Sequence, residues 1–227
     1  MVDSDYSNYL EQFVTEKRRN LFREVLSKRT NHFTVAIEDL FQPHNASAVV
    51  RTCDIFGIQE ISVIENKYKF YASRHVAKGA QKWIDFNYYR EKDTNNTKVC
   101  IDALREKGYQ IIATTPHNES CHLEEFDVTK KSAFFFGVEK AGLSKEVMDN
   151  ADGYLKIPMV GFTESLNISV AAAIILQRFT EKLKATDVYW QLSDLEKDAK
   201  YVEWMEKTIK SIKKIKERYE LESTSKS

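Results

Sequence analysis

Three segments carry side chains that a purely structural sheet has little use for. The first, QPHNASAVVRTCDIFG, sets a Pro-His-Asn turn after a β-rich run and puts Arg51 into an otherwise apolar helical stretch. Asn45 and Arg51 are six residues apart and share no helix face, yet they approach one site if Asn45 sits on the entering turn. A helix cap at Asn45 plus a snorkelling arginine accounts for the same residues equally well. The second, FFFGVEKAGLS, ends an apolar strand at Gly137 and follows it at once with Glu139 and then Gly142. Open α/β sheets bind ligands at the C-terminal ends of strands, where glycines let backbone amides come close. A plain strand–turn–helix connection with Glu139 in solvent is the other reading. In the third, KIPMVGFTESLNISVAAAIIL, Ser165 and Asn167 stand at the mouth of an apolar helix. Amides there suit an anionic or polar group, although simple capping by Ser165 explains the residue too.

Other chemistries lack their signatures. There is no GxGxxG turn, phosphate loop, GxSxG elbow or paired metal-ligand spacing. The five histidines are scattered, and HNESCH is better read as a surface loop than as a metal site. No metal is expected. Cys53, Cys100 and Cys121, odd in number and unpatterned, read as reduced cytoplasmic thiols.

The elements that must hold these segments follow from periodicity. FTVAIEDL, ISVIE, YQIIATT, SAFFFGV and GYLKIPM read as strands, alternating with helices. Those helices are expected over Asn45 to Phe56 with Asn45 as cap, around Asp102 to Lys107 ended by Gly108, and over Leu166 to Lys184. Such βα alternation with apolar strands predicts an α/β fold built on a mostly parallel sheet covered on both faces. Residues 6–29 read as helical. Residues 192–220 read as one amphipathic helix whose apolar stripe must bury against the core or another subunit. The chain of 227 residues thus divides into an N-terminal helical extension (1–30), a central domain (31–185) and a C-terminal helical extension (186–227). A hydrophobic fraction of 42% with 30% charged residues is ordinary for a soluble globular protein, and no run is long enough to span a bilayer. Net charge is +0, so bulk charge announces no nucleic acid. Basic residues do cluster near both ends, as solvated helix faces or as phosphate contacts.

Together and in this order, N-x5-R, G-x-E-x-x-G-L and I-P-M-x-G-x-x-x-S-L-N-x-S-V-A-A-A strongly resemble the three motifs of the SpoU (TrmH) family of RNA ribose 2′-O-methyltransferases. The likeness covers residues 33 to 180. FREVLSKRTNHFTVAIEDLFQPHN and GAQKWIDF are most similar to the branch that methylates guanosine 18 in the transfer RNA D-loop. The resemblance implies a SPOUT-type α/β fold whose C-terminal segment forms a deep trefoil knot. It also implies S-adenosylmethionine as cofactor, transfer RNA as partner, and a cytoplasmic homodimer with its active site at the subunit interface. By the same resemblance, Arg51, Asn45, Glu139, Ser165 and Asn167 are the catalytic set. Thr114, Gly137, Gly142, Ile157, Met159 and Leu166 would bind the cofactor, with adenine held by backbone near Ile157 and Leu166. RNA contacts would come from Arg18, Arg19, Arg23, Arg29, His44, Arg178 and Lys182. A guanidinium holds its proton up to pH above about 12. Arg51 is therefore expected to orient the ribose hydroxyl and its phosphate, and to take the proton only in the closed site. One departure stands out: the basic pair this branch usually carries fourteen and sixteen residues past the motif-three asparagine is Glu181 and Leu183 here. Methylation of ribosomal RNA or of another transfer RNA position, or a non-catalytic RNA-binding knot protein, are the alternatives.

Overall fold

In the computed structural model, residues 4–115, 121–138 and 142–224 are described. Their strands are β1 (Phe33–Glu38), β2 (Glu60–Ile64), β3 (Asp85–Tyr89), β4 (Gln110–Thr114), β5 (Cys121–His122), β6 (Ser132–Phe136) and β7 (Gly153–Lys156). Their α-helices are α1 (Ser4–Glu11), α2 (Glu16–Leu26), α3 (Pro43–Ile55), α4 (Arg74–Ala77), α5 (Asn96–Glu106), α6 (Lys145–Asn150), α7 (Ile168–Lys184), α8 (Asp194–Thr208) and α9 (Ile212–Thr224). By contact density the chain divides into two units, Thr30–Trp190 and a second made of Met1–Arg29 with Gln191–Ser227.

The larger unit is built on one seven-stranded sheet of order β3-β2-β1-β6-β4-β7-β5. Every pairing in it is parallel. β1 and β6, its central pair, are buried along their whole length, as the β-rich run FTVAI and the apolar run AFFF lead one to expect. Their side chains alternate between faces. Phe33, Val35, Ile37, Phe134 and Phe136 join the core that also takes Val49, Val50 and Cys53 of α3 and Ile175, Leu176 and Phe179 of α7. Ala36, Ala133 and Phe135 face the other core with Cys100, Ile101 and Leu104 of α5 and Val147 of α6. The chain runs from β1 outward through β2 to β3, then crosses to the far side of β1 for β4, β6 and β7. The order therefore reverses between β1 and β6, where open parallel sheets leave a crevice beyond the strand ends. All three motif segments leave the sheet at that C-terminal edge.

Several expected boundaries move. α3 starts at Pro43, with Gln42 rather than Asn45 as cap, because proline at the first helical position costs no hydrogen bond. α7 starts two residues later than expected, capped by Asn167. β3 is half polar and β5 has two residues, so neither left a periodic signal; α4 is likewise too short for one. Gly108, at φ +81, does end the α5 connection as the sequence predicts.

In the smaller unit, the expected helix over 6–29 is two helices. Thr15 interrupts it, and its side chain caps α2 by accepting from the Arg18 amide. The single helix expected over 192–220 is likewise two, α8 and α9, because Ile209 takes an extended backbone although the three- and four-residue apolar spacing runs on past it. Ser193 and Glu196 form a capping box that fixes the α8 start. The expected stripe buries only in part: Leu192 and Met205 are buried while Leu195 is 67% exposed, and the packed face of α8 runs instead through Tyr201 and Trp204, the latter edge-on to Phe22 with ring centroids 5.7 Å apart. Arg29 must be withdrawn from the expected RNA contacts. It is 2% exposed, with its guanidinium 5.4 Å above the Trp204 ring, and so cannot reach a phosphate.

Candidate active site

The site is assembled where β1, β4, β6 and β7 end. Beyond β1 the chain enters α3, whose first turn carries exposed His44 and buried Asn45. The Asn45 amide donates to Gln42 Oε1 (2.6 Å), and its Oδ1 accepts from Asn167 Nδ2 at 3.0 Å. The first and third motifs, 122 residues apart, therefore meet through two asparagine side chains. Asn167 does this while capping α7, its Oδ1 accepting from the Ser169 amide (2.9 Å) and hydroxyl (2.6 Å). Arg51, two turns on, is exposed and makes no hydrogen bond or ion pair with a described residue.

Beyond β6, Val138 and Gly142 meet in an isolated bridge. The Gly142 amide donates to the Val138 carbonyl (2.8 Å), and Gly142 adopts φ +67. A Cβ on Gly137 would stand 2.2 Å from the Gly142 carbonyl oxygen, a backbone atom, so this position has room for glycine alone. Glu139 lies outside the described residues. Sequence reasoning missed what anchors this turn. Glu38, closing a strand with no other charged residue, is 3% exposed. It accepts from the Ser144 amide (2.8 Å), the Ser144 hydroxyl (2.7 Å) and the Thr97 hydroxyl (2.6 Å). A carboxylate ending the run FTVAI was the available signal, since burying one demands several donors.

Beyond β7 comes the long loop to α7. Among the described residues, no amide from Ile157 to Leu166 donates to another backbone group, which leaves them for solvent or a ligand. Ile157 packs against the main core and Met159 and Leu166 are half-buried, whereas Ser165 is exposed and joins none of the polar contacts above. Thr114, at the end of β4, gives its hydroxyl to the Phe135 carbonyl (2.6 Å). Bare backbone at Gly137, loop amides that donate to no backbone group among the described residues, and half-buried apolar side chains together fit a ligand such as S-adenosylmethionine, which has a flat aromatic base with polar edges and further polar atoms.

The expected RNA-binding cations are mostly engaged. Arg19 pairs with Glu11 (2.5 Å), as does Arg23, which also lies 4.8 Å over the Tyr201 ring. Arg18 is exposed, 5.7 Å over Phe22. Arg178 pairs with Glu124 (2.5 Å), and Lys182 donates to the Glu124 and Phe126 carbonyls at 3.0 and 2.6 Å. Leu183, in one of the two places where a basic residue is usual, is a core residue. HNESCH lies largely outside the described residues; among those described, no cluster of metal-ligating side chains occurs and no helix is long and apolar enough to cross a membrane.

Comparisons with known proteins agree with one another. The model of the SpoU rRNA Methylase family matches residues 32–177. A tRNA (guanosine(18)-2′-O)-methyltransferase of Borreliella burgdorferi is 39% identical over 89% of this chain and 90% of its own length. The enzyme of the same description from Aquifex aeolicus is 33% identical over 95% of this chain and 99% of its own. Among solved structures, the A. aeolicus TrmH/SpoU tRNA modifying enzyme superposes with a TM-score of 0.75 at 31% identity, covering 86% of this chain and 98% of that one. The SpoU methyltransferase AviRb from Streptomyces viridochromogenes, solved in complex with AdoMet, shares the fold at TM-score 0.61, 23% identity, 72% of this chain and 65% of its own.

Proposed function

We propose, from the premise that the chain belongs to the SpoU rRNA Methylase family, that it methylates the ribose 2′-hydroxyl of guanosine 18 in transfer RNA. The observation that carries this reading is the Asn45–Asn167 hydrogen bond, which joins the helix of Arg51 to the ligand-ready loop 157–167 at the sheet's switch point.

S-Adenosylmethionine, when bound, supplies an electrophilic methyl group on a sulfonium. Gly137, Gly142 and the backbone of Ile157, Met159 and Leu166 would hold it, with Thr114 at the pocket wall. The remaining task is placement: the 2′-oxygen gains a methyl and sheds its proton, and in-line positioning supplies most of the acceleration. Asn45 and Asn167 fix the two halves of the site, and Glu38 fixes the turn between them. Arg51 orients the hydroxyl and its phosphate through a forked set of donors. Glu139 and Ser165 belong to the site by their motif positions.

The working unit is a homodimer in this reading. Val160 and Phe162 are fully exposed in the single chain, and Val170 and Ile174 form an exposed apolar strip on α7. Surfaces of that kind are normally covered. The trefoil knot and a cytoplasmic location go with the family and the substrate. Glu181 and Leu183 favour one second reading, the same chemistry at a different RNA position.

Incubation with unmodified transfer RNA transcripts and a methyl-labelled donor, followed by mapping of hydrolysis-resistant linkages, tests both. Label at guanosine 18 is expected. Label elsewhere selects the second reading, and no label on any RNA overturns the assignment.

A further inference from the structure

Between β2 and α4 the chain reads ENKYKFYAS, lysines interleaved with aromatic rings, and none of the three motifs includes it. This segment is held rigidly. Asp39, in the left-handed conformation at φ 51, turns its Oδ1 to accept from three successive amides, Asn66 (2.8 Å), Lys67 (2.7 Å) and Tyr68 (3.2 Å). Glu65 accepts from the Phe70 amide (3.0 Å), and the Ser73 amide donates to Ser47 Oγ on α3 (2.7 Å). The loop is thus tied both to the exit of β1 and to the helix that bears Asn45 and Arg51.

Its inward ring, Phe70, packs against the main core. Its outward rings do not. Tyr68 is 49% exposed, Tyr71 65%, and Phe41, whose centroid is 5.0 Å from that of Tyr68, 50%. The carboxylates of Asp39 and Glu65 are already engaged by amides, whereas exposed Lys67 and Lys69 have no acidic partner among the described residues. Exposed lysines on either side of Tyr68 in the sequence, with its ring paired to Phe41, favour a polyanion with flat apolar faces. A nucleobase stacks on such rings while its phosphates meet the lysines. An apolar protein partner would leave both charges uncompensated.

We infer that Phe41, Tyr68 and Tyr71, flanked by Lys67 and Lys69, form the platform on which an unstacked base of the substrate RNA rests while α3 addresses the ribose. The inference builds on the RNA-methyltransferase reading and extends it to substrate recognition.

The test uses the full chain and an unmodified transfer RNA transcript, with binding followed by fluorescence anisotropy across a salt series. Tyr68→Ala should weaken binding about tenfold, and Tyr68→Phe should restore most of it, since the ring and not the hydroxyl stacks. Lys67→Ala with Lys69→Ala should lower the salt slope by about one per lysine. Cofactor affinity by calorimetry and the melting temperature should stay at parental values. Parental RNA affinity in both Tyr68→Ala and the double lysine variant overturns the platform. So does a fall in sedimentation coefficient, which would make this surface a contact between copies. A parent protein that binds the transcript without methylating any RNA overturns the enzymatic reading instead, and leaves the platform to be judged by the binding data alone.

Discussion

Asn167 shows how little a residue type says by itself. From the sequence, capping and ligand binding compete as explanations of the polar residues before α7; in the structure one carbonyl oxygen caps the helix while the amide nitrogen holds Asn45. The cap and the bridge coexist, and the bridge is invisible in sequence because its partner lies 122 residues away. The two roles separate by substitution. Asn167→Ser keeps an N-cap oxygen and loses the bridge, so its melting temperature should stay within a degree or two while methyl transfer drops on the order of a hundredfold. Asn167→Ala should lose the same activity and in addition about 1 kcal/mol of stability, read as a fall of roughly 2–4 °C for a chain of this size. Equal melting temperatures for the two variants would deny the capping role. Full activity in Asn167→Ser would deny the bridge. Arg29 carries the opposite lesson: it sits in a basic cluster, yet only the fold reveals Trp204 beneath it.

Elements were legible in proportion to their length and the purity of their pattern. β1 and β6 are short, mostly apolar runs, and α7 is a seventeen-residue helix with an apolar first half, so each could be placed within two residues. β3 and β5 owe their existence to neighbours already in place, β2 and β7 respectively, which no local pattern encodes. The break between α8 and α9 escaped for the converse reason, the helical spacing continuing across it. Turns at strand ends carry sharper consequences. In Gly137→Ala the new methyl meets the Gly142 carbonyl, so the turn must open. Calorimetry should then show cofactor affinity reduced more than tenfold, with far-ultraviolet dichroism unchanged; parental affinity would contradict the close approach. At the other end of the sheet, the His32 ring donates from Nε2 to the Val128 carbonyl (2.9 Å). Burial pushes the imidazole below its usual range, outweighing the opposite pull of that bond. Because the unfolded chain takes its proton near pH 6.5 and the folded one only below that, this contribution is complete above about pH 6.5 and is lost as the pH falls toward the lowered folded value. The urea midpoint should therefore drop between pH 7 and 5, and drop less in His32→Gln. Parallel curves would remove His32 as the cause.

At the scale of the molecule, the position of Arg51 is the informative fact. Asn45 and Asn167 satisfy one another within a single chain, while Arg51, six residues along α3, points to solvent and meets neither. A lone subunit therefore presents a ligand-ready loop and an exposed arginine with no hydrogen-bond or ion-pair partner among the described residues. Fully exposed Val160 and Phe162 in that same loop give a second copy something to cover. If the dimer completes each site by bringing one subunit's Arg51 to the other's loop, two inactive variants should complement. Arg51→Ala and Asn167→Ala, mixed after partial denaturation and refolded together, would form heterodimers in which one site carries both defects and the other carries none. Activity should reappear on mixing and be absent from either variant refolded alone. Phe162→Asp should shift sedimentation toward the monomer and abolish methyl transfer, because burying a carboxylate at a subunit contact is costly. Mixtures that stay inactive despite demonstrated heterodimers would place Arg51 and Asn167 in a site made by one chain. A parent protein that sediments as a monomer at micromolar concentration while methylating RNA would dispense with the second subunit altogether.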